Sequence, residues 1–276
     1  MQMINKYTCS PLQLGGIIMK LRAQNTFPII DFVKETHNHY DNYLEIKDKL
    51  MTYPQNHFAI KLSSLGLQQS EKKCVAQLES ILHCAKQVDS TILVDAEQHE
   101  IQEQIDDIVD YYMESSNQDN VVLFKTYQMY KKGAHKRLME DIERTRSFCL
   151  GIKLVRGAYL SEDRKKNVLC ENEHETHMQY DSSIIDFASK HQPGDILMCA
   201  THNARSVYLA KHYIRALNLN NIEFAQLLGM KDYMTNDLQA HGYKAYKYVP
   251  YGEFYDSIPY LLRRLYENYP MVRYMI

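Results

Sequence analysis

Two adjacent arginines near the end of the chain have the chemistry of a carboxylate clamp. Four side chains share the spacing i, i+3, i+4 and i+7: Tyr260, Arg263, Arg264 and Glu267. In a helix this spacing places them on neighbouring parts of one face. Two guanidinium groups offer forked donors that match a carboxylate, and Glu267 would hold the fork in place. The spacing therefore favours a bound substrate carboxylate, with a solvated charged face as the alternative.

Polar residues close several runs that are otherwise apolar. Lys61 follows FAI and Asp95 closes TILVD, so each charge falls near the end of a predicted strand. A charge in that position must be paired or used, and for either residue alone a structural salt bridge explains it as well as catalysis does. Gln128, Thr201 and His202 end two further runs and supply neutral hydrogen-bonding groups, although a lone histidine is more often a satisfied core residue.

The segment GIKLVRGAY combines two cations with two small residues. Alternation along a strand puts Lys153 and Arg156 on opposite faces, so that one cation can point inward. Gly157 and Ala158 lack bulk, which would let a flat ligand approach the backbone closely. The segment is therefore a candidate contact for a planar cofactor.

Metal and dinucleotide motifs are missing from the sequence. The histidine-rich stretches HNHY and HETH lack HExxH spacing, and no Cys/His cluster has structural-zinc spacing. No GxGxxG follows any predicted strand, so a Rossmann site is unsupported. We expect no metal, and a flavin would have to be held by residues at strand ends.

Short β-rich runs alternate with longer segments of helical period along the chain, which is the pattern of a parallel sheet with helical crossovers. Eight such units in about 250 residues predict one closed (β/α)8 barrel over residues 26–276, after a short lead-in of residues 1–25. In such barrels the chemistry sits at the carboxyl ends of the strands. The predicted runs are Phe27–Val33, Phe58–Ser63, Thr91–Ala96, Val121–Gln128, Cys149–Ala158, Asp195–Asn203, Ile222–Leu228 and Lys244–Pro250.

The composition bounds the kind of partner and compartment. A net charge of −2 argues against a nucleic-acid surface and favours a small-molecule ligand. The six cysteines show no CxxC spacing, and the longest apolar runs are far shorter than the ~20 residues of a bilayer span. We expect a cytoplasmic or peripheral membrane protein. Lys6, Lys20 and Arg22, in a stretch without acids, leave mitochondrial association open.

Six motifs, taken in chain order, resemble the proline dehydrogenase family: KLSSLG, DAE, KLVRGAY, ATHN, FAQLLGM and YVPYG…PYLLRRLYEN. The resemblance runs from about Phe27 to Asn268 and looks closer to the monofunctional, eukaryotic-type members. It implies a distorted TIM-type barrel with the last helix, Pro259–Asn268, over the active site, and noncovalent FAD. The implied reaction is oxidation of L-proline to Δ1-pyrroline-5-carboxylate by hydride transfer to flavin N5, the first step of proline catabolism to glutamate. The implied electron acceptor is a quinone, reached by peripheral membrane contact at most.

The resemblance also assigns roles to residues. Arg263 and Arg264 match the pair that clamps the proline carboxylate, Lys61 matches a lysine that reaches it, and Glu267 matches the ion-pair partner of the clamp. Asp95 matches an acid linked to these cations. Lys153 stands where many bacterial members have an arginine beside flavin N5, so a point charge replaces a bidentate contact. The residues that would enclose the pyrrolidine ring of the substrate, called its walls below, are Tyr159, Leu227, Tyr248 and Tyr260. The further residues that would contact FAD are Ala96, Gln128, Arg156, Gly157, Ala158, Thr201 and His202.

Three other functions stay open at this point. A 4-hydroxyproline dehydrogenase would need room near ring C4, which Tyr248 would crowd. Lys61 or Lys153 beside Asp95 could instead serve a Schiff-base lyase. A barrel that binds proline or flavin without turnover is the third, and the full set of charged site residues argues against it.

Overall fold

Eight parallel strands form a closed barrel in the part of the chain that the structure describes, residues 6–33 and 39–252 of a computed structural model. They are β1 (Phe27–Phe32), β2 (His57–Ile60), β3 (Thr91–Val94), β4 (Leu123–Gln128), β5 (Gly151–Val155), β6 (Ile196–Ala200), β7 (Ile222–Leu227) and β8 (Ala245–Tyr251). The strands are neighbours in chain order, and β8 lies beside β1. The predicted (β/α)8 fold class is confirmed.

Helices follow the strands, as the alternating pattern predicts. In the described residues they are α1 (Pro11–Ala23), α2 (His39–Thr52), α3 (Glu71–Gln87), α4 (His99–Ser116), α5 (Ala134–Glu143), α6 (Leu160–Lys165), α7 (Glu173–Lys190), α8 (Ala204–Leu217) and α9 (Asp232–Ala240). Helix α1 lies within the predicted lead-in, and it buries Leu14, Ile18 and Leu21 at helical spacing. None of these helices is long and apolar enough to span a bilayer.

Several predicted runs extend past the true end of their strand. The run that begins at Phe58 continues to Ser63, but β2 ends at Ile60 because the chain then turns into a 3₁₀ helix, Ser63–Leu65. The run through β5 likewise overshoots, since Gly157 has a φ of +141°, outside the extended region. Lys61 and Arg156 therefore lie immediately after their strands.

The chain divides into two structural units, of which the first comprises Met1–Asp95 and Gln226–Ile276. Within it β1 pairs with β2 on one side and with β8 on the other, so that Ile29 aligns with both His57 and Tyr248. The segment before α1 also joins this sheet. The Cys9 amide donates to the Pro250 carbonyl at 3.0 Å, and the Gly252 amide donates to the Cys9 carbonyl at 3.0 Å.

The second unit is Ala96–Ala225, in which β4 to β7 pair in parallel. Asn117, fully buried at the end of α4, holds the starts of two strands together. Its Nδ2 donates to the carbonyls of Leu123 at 2.8 Å and Cys149 at 3.0 Å, while its Oδ1 accepts from the amides of Val122 and Leu123. The carboxamide thus uses both donors and both acceptor sites.

Candidate active site

In the first unit, the ammonium of Lys61 lies between two buried carboxylates. Its Nζ is 3.3 Å from Asp31 Oδ1 and 3.1 Å from Asp95 Oδ2. The Asp95 amide donates to the Ile60 carbonyl at 2.8 Å, which places this acid directly beside the end of β2. The Tyr248 hydroxyl on β8 donates to Asp95 Oδ2 at 2.8 Å. Three residues singled out from the sequence, Lys61, Asp95 and Tyr248, therefore come together.

Asp31 belongs to this cluster and was not predicted from the sequence. It is the fifth residue of the apolar strand FPIIDF and is 1% exposed. A carboxylate inside an apolar strand must be paired, and that signal would have identified it. Asp31, Asp95 and Lys61 together carry one net negative charge. A substrate carboxylate would bind beside them only with further cations, the role expected of the arginine pair near the end of the chain.

In the second unit, Gln128 at the end of β4 presents a buried acceptor. Its Nε2 donates to the Glu97 carbonyl at 2.7 Å and to Gln102 Oε1 at 3.4 Å. Its Oε1 is buried and has no hydrogen-bond partner among the described residues. A buried acceptor that has no hydrogen bond costs about 1–3 kcal/mol of stability. The site therefore fits a ligand that brings an N–H donor. The N3–H of a flavin ring is such a donor, so this acceptor fits the flavin that the sequence leads us to expect.

Arg156 is held firmly by the helices around it. Its Nη1 donates to Thr201 Oγ1 at 2.7 Å, its Nη2 to Ser206 Oγ at 2.9 Å and its Nε to His177 Nδ1 at 3.0 Å. The guanidinium carbon lies 4.3 Å from the centroid of the Tyr180 ring on α7. Arg156 is therefore on the helix side of β5, and it orients the Thr201 hydroxyl, a predicted flavin contact.

Lys153 is buried within β5, with 4% of its surface exposed. Because β5 ends at Val155, strand alternation does not extend to Arg156, and the expectation that Lys153 and Arg156 lie on opposite faces stays a prediction. Gly157, which follows, has a reason for its small size beyond ligand approach. A Cβ atom there would come within 2.3 Å of the Tyr130 ring.

The remaining predicted residues occupy strand ends or lie outside the described chain. Ala96 follows β3, Thr201 and His202 follow β6 and are buried, and Leu227 ends β7. Ala158 and Tyr159 lie between β5 and α6. Four further predicted residues lie outside the described residues, together with the predicted helix Pro259–Asn268 that contains them: the clamp pair Arg263 and Arg264, its partner Glu267, and Tyr260. Within residues 6–33 and 39–252, no three His, Cys, Asp or Glu side chains are grouped to hold a metal ion.

Comparisons with known proteins agree with the fold. Residues 18–274 match the family model described as Proline dehydrogenase. The chain is 31% identical over 257 residues to "Proline dehydrogenase 1, mitochondrial" of Dictyostelium discoideum, covering 82% of this chain and 45% of that protein. It is 32% identical over 229 residues to "Hydroxyproline dehydrogenase" of Rattus norvegicus, covering 76% of this chain and 50% of the relative.

A solved structure is also similar. Proline utilization A from Bdellovibrio bacteriovorus superposes with a TM-score of 0.87 at 17% identity, covering 97% of this chain and 33% of that one. At this identity the likeness concerns the fold alone. The chain spans about a third to a half of the length of the first curated relatives it matches, at 45%, 36% and 32%.

Proposed function

The chain belongs to the proline dehydrogenase family, and from this premise we propose that it oxidises L-proline to Δ1-pyrroline-5-carboxylate with FAD as the bound cofactor. The observation that carries the proposal is the Lys61 cluster, in which a cation, two acids and a tyrosine meet beside the ends of β2 and β3. The family match alone leaves the substrate open. The cluster supplies the charge and the ring wall that a small amino acid needs.

On the substrate side, the protein fixes the position of proline. Lys61 contacts the carboxylate together with Arg263 and Arg264, and Asp95 keeps the Lys61 ammonium in place. Tyr248, which we propose packs against the proline ring, is itself fixed, because its hydroxyl donates a hydrogen bond to Asp95. Holding the ring in one orientation turns a loose encounter into a near-attack geometry, an effect that can reach about 7–11 kcal/mol in well-oriented systems. The other walls of the ring are Tyr159, Leu227 and Tyr260.

On the cofactor side, the strand ends of the second unit hold FAD. When bound, FAD would supply a two-electron acceptor for the hydride of ring carbon C5, and the proton that leaves the proline nitrogen would pass to solvent. Gln128 would accept a hydrogen bond from the flavin ring, and Lys153 would place near that ring a positive charge that favours its reduced, negatively charged form. The other contacts are Ala96, Arg156, Gly157, Ala158, Thr201 and His202.

The natural electron acceptor is proposed to be a quinone in a membrane, reached by peripheral contact. Flotation with liposomes tests this contact directly. The protein should move with the vesicles, and reduction of a quinone analogue should be faster when vesicles are present. Quinone reduction at the same rate without vesicles would remove the membrane from the proposal.

The Hydroxyproline dehydrogenase relative, at 32% identity, keeps trans-4-hydroxyproline as a second candidate substrate. A lyase that uses Lys61 is less favoured, because a Schiff-base lysine must react as a neutral amine, whereas Asp31 and Asp95 both stabilise the Lys61 ammonium.

The proposal is tested by mixing the purified protein with L-proline in the absence of oxygen. We expect a yellow protein whose flavin absorbance is bleached by proline, and mass spectrometry of the released cofactor should identify FAD. Cyclopentanecarboxylate is the matched control ligand, since it has the ring and the carboxylate but no nitrogen. It should compete with proline without bleaching. A colourless protein that borohydride traps on a carbonyl substrate would be a lyase, and a yellow protein that proline does not bleach would be a binding protein.

A further inference from the structure

Tyr130 touches the segment that follows β5 in three separate ways. Its amide donates to the Arg156 carbonyl at 2.7 Å. Its ring fills the space beside Gly157, where an added Cβ would lie 2.3 Å from ring carbons Cδ1 and Cε1. Its hydroxyl accepts a hydrogen bond from the Tyr159 amide at 3.2 Å. Backbone, ring and hydroxyl thus all hold residues 156–159.

The Tyr130 hydroxyl is fixed from the other side by Asp163. It donates to Asp163 Oδ2 at 2.6 Å, and Asp163, in α6, is fully buried. The Lys131 ammonium lies 3.3 Å from the same oxygen, and the His99 amide donates to Oδ1 at 3.0 Å. Because α6 begins directly after Tyr159, the segment is held at both ends by one buried group of residues.

The protonation of Tyr130 suits this arrangement. Burial, together with the hydrogen bond and charge of Asp163, raises the pKa of the Tyr130 hydroxyl well above its usual range. The hydroxyl therefore keeps its proton at any working pH. The proton points to Asp163, and a lone pair remains for the Tyr159 amide.

The backbone of Gly157 shows why the segment needs such support. Its φ of +141° is a conformation that L side chains rarely adopt, and the Tyr130 ring closes the space that a side chain would need. Gly157 and Ala158 are partly exposed after this turn, and their small size leaves the backbone accessible. A planar ligand that packs against this backbone can bind tightly only if the backbone is held in one position.

We propose that Tyr130 is a positioning residue for flavin binding, acting through the segment 156–159, which it holds against Asp163. The inference rests on the proposed function, because Gly157, Ala158 and Tyr159 are assigned to the flavin and substrate there. Tyr130 touches neither ligand in this assignment. Its effect is to fix the backbone that does.

The test compares two tyrosine-to-phenylalanine variants. Tyr130→Phe keeps the ring beside Gly157 and removes both hydrogen bonds of the hydroxyl. The matched control is Tyr127→Phe on β4, which also removes a buried hydroxyl bonded to a carboxylate, that of Asp141 on α5. In the described contacts, Tyr127 does not bond to the segment. The two variants should therefore lose similar stability against urea and differ in ligand binding.

Two measurements separate positioning from a merely structural role. Hydrogen exchange on the flavin-free protein should show the Tyr159 amide exchanging at least about tenfold faster in Tyr130→Phe, since its acceptor is gone. The Kd for FAD, from flavin fluorescence, should rise about tenfold in Tyr130→Phe and change less than about twofold in Tyr127→Phe. The KM for proline, measured at saturating FAD, should rise with little change in kcat, because Tyr159 is a proposed substrate wall.

The outcomes distinguish this inference from the proposed function. If the parent binds FAD and oxidises proline while Tyr130→Phe and Tyr127→Phe have the same Kd for FAD, only the role of Tyr130 is overturned. If the parent binds no flavin, the proposed function and this inference are both overturned. Should Tyr130→Phe fail to fold, Asp163→Asn weakens the same anchor, and an unchanged FAD Kd in that variant would equally overturn the role.

Discussion

A single carboxylate oxygen, Asp95 Oδ2, accepts the hydrogen bond of Tyr248 at 2.8 Å and lies 3.1 Å from the Lys61 ammonium. The proposed ring wall and the proposed carboxylate-binding cation are therefore coupled through one atom. A change at Tyr248 should alter how Lys61 is held, and the reverse should also be true.

Tyr248 should set the preference for proline over its hydroxylated analogue. We expect the parent to have a higher kcat/KM for L-proline than for trans-4-hydroxyproline, because the tyrosine crowds ring C4. Tyr248→Phe should lower kcat/KM for proline about tenfold through the lost bond to Asp95, and narrow the ratio between the two substrates. Tyr246→Phe, two residues earlier on the same strand, is the control and should keep the parent ratio. Equal values for the parent would remove the assignment of Tyr248.

Lys61 should contribute to both stability and substrate binding. Lys61→Met leaves Asp31 and Asp95 buried without their ammonium, so the free energy of unfolding should fall by about 3–5 kcal/mol and the KM for proline should rise. Adding Asp31→Asn removes one of the two charges, and urea denaturation should show part of the stability restored. The KM should remain high in the double variant. A KM that recovers together with stability would mean that Lys61 has only a structural role.

The arginine pair is the sharpest prediction from the sequence, although Arg264 lies outside the described residues. Arg264→Met keeps the apolar stem and deletes the fork, so the KM for proline should rise by at least about tenfold, or 1.4 kcal/mol. Flavin absorbance should stay normal, since the cofactor is assigned to other residues. Arg205→Met, which changes an arginine that is 77% exposed on α8, is the control. An unchanged KM would make Arg264 a surface charge.

His177 should make folding stability depend on pH. Burial, chiefly, and the neighbouring Arg156 guanidinium lower the pKa of His177 below its usual 6.5, and its Nδ1 must stay unprotonated to accept from Arg156 Nε. As the pH falls below 6.5 the unfolded chain takes up the proton first, so stability present above that pH is lost. Urea midpoints at about pH 7.5 and 5.5 should differ less in His177→Gln than in the parent. His212→Gln, on an exposed part of α8, should keep the parent difference.

The sequence predicts the barrel because each strand and helix has its own periodicity, which needs no long-range information. The sequence is less reliable in predicting which residues of a helix face the barrel. In α3, apolar residues at helical spacing predict that Val75 is covered together with Leu78, yet Cys74 is fully buried and Val75 is only half-buried. The strand ends were also extended too far, because a short 3₁₀ turn after Lys61 has no strong sequence signal.

The site could be predicted only where a charge stands out from an apolar run. Lys61 and Asp95 did so, and Asp31 carries the same signal: it is the fifth of the six residues of β1, near the carboxyl end where chemistry was expected, and it was nevertheless missed. The contact of Tyr130 with Asp163 joins residues 33 positions apart. No local sequence pattern predicts such a contact. Taken alone, Tyr130 is an ordinary tyrosine and Asp163 is an ordinary acid in a helix.

The seam between β1 and β8 determines the order in which the barrel can be completed during synthesis. The first unit combines Met1–Asp95 with Gln226–Ile276, and β8 is bonded both to β1 and to the segment around Cys9. The nascent chain exposes the open edge of β1 long before its partner leaves the ribosome. At roughly 5–20 residues per second, making the ~210 residues between the end of β1 and the start of β8 takes about ten to forty seconds. Throughout that time the unpaired edge of β1 is a template for pairing with another chain, and it stops being one only when β8 is in place.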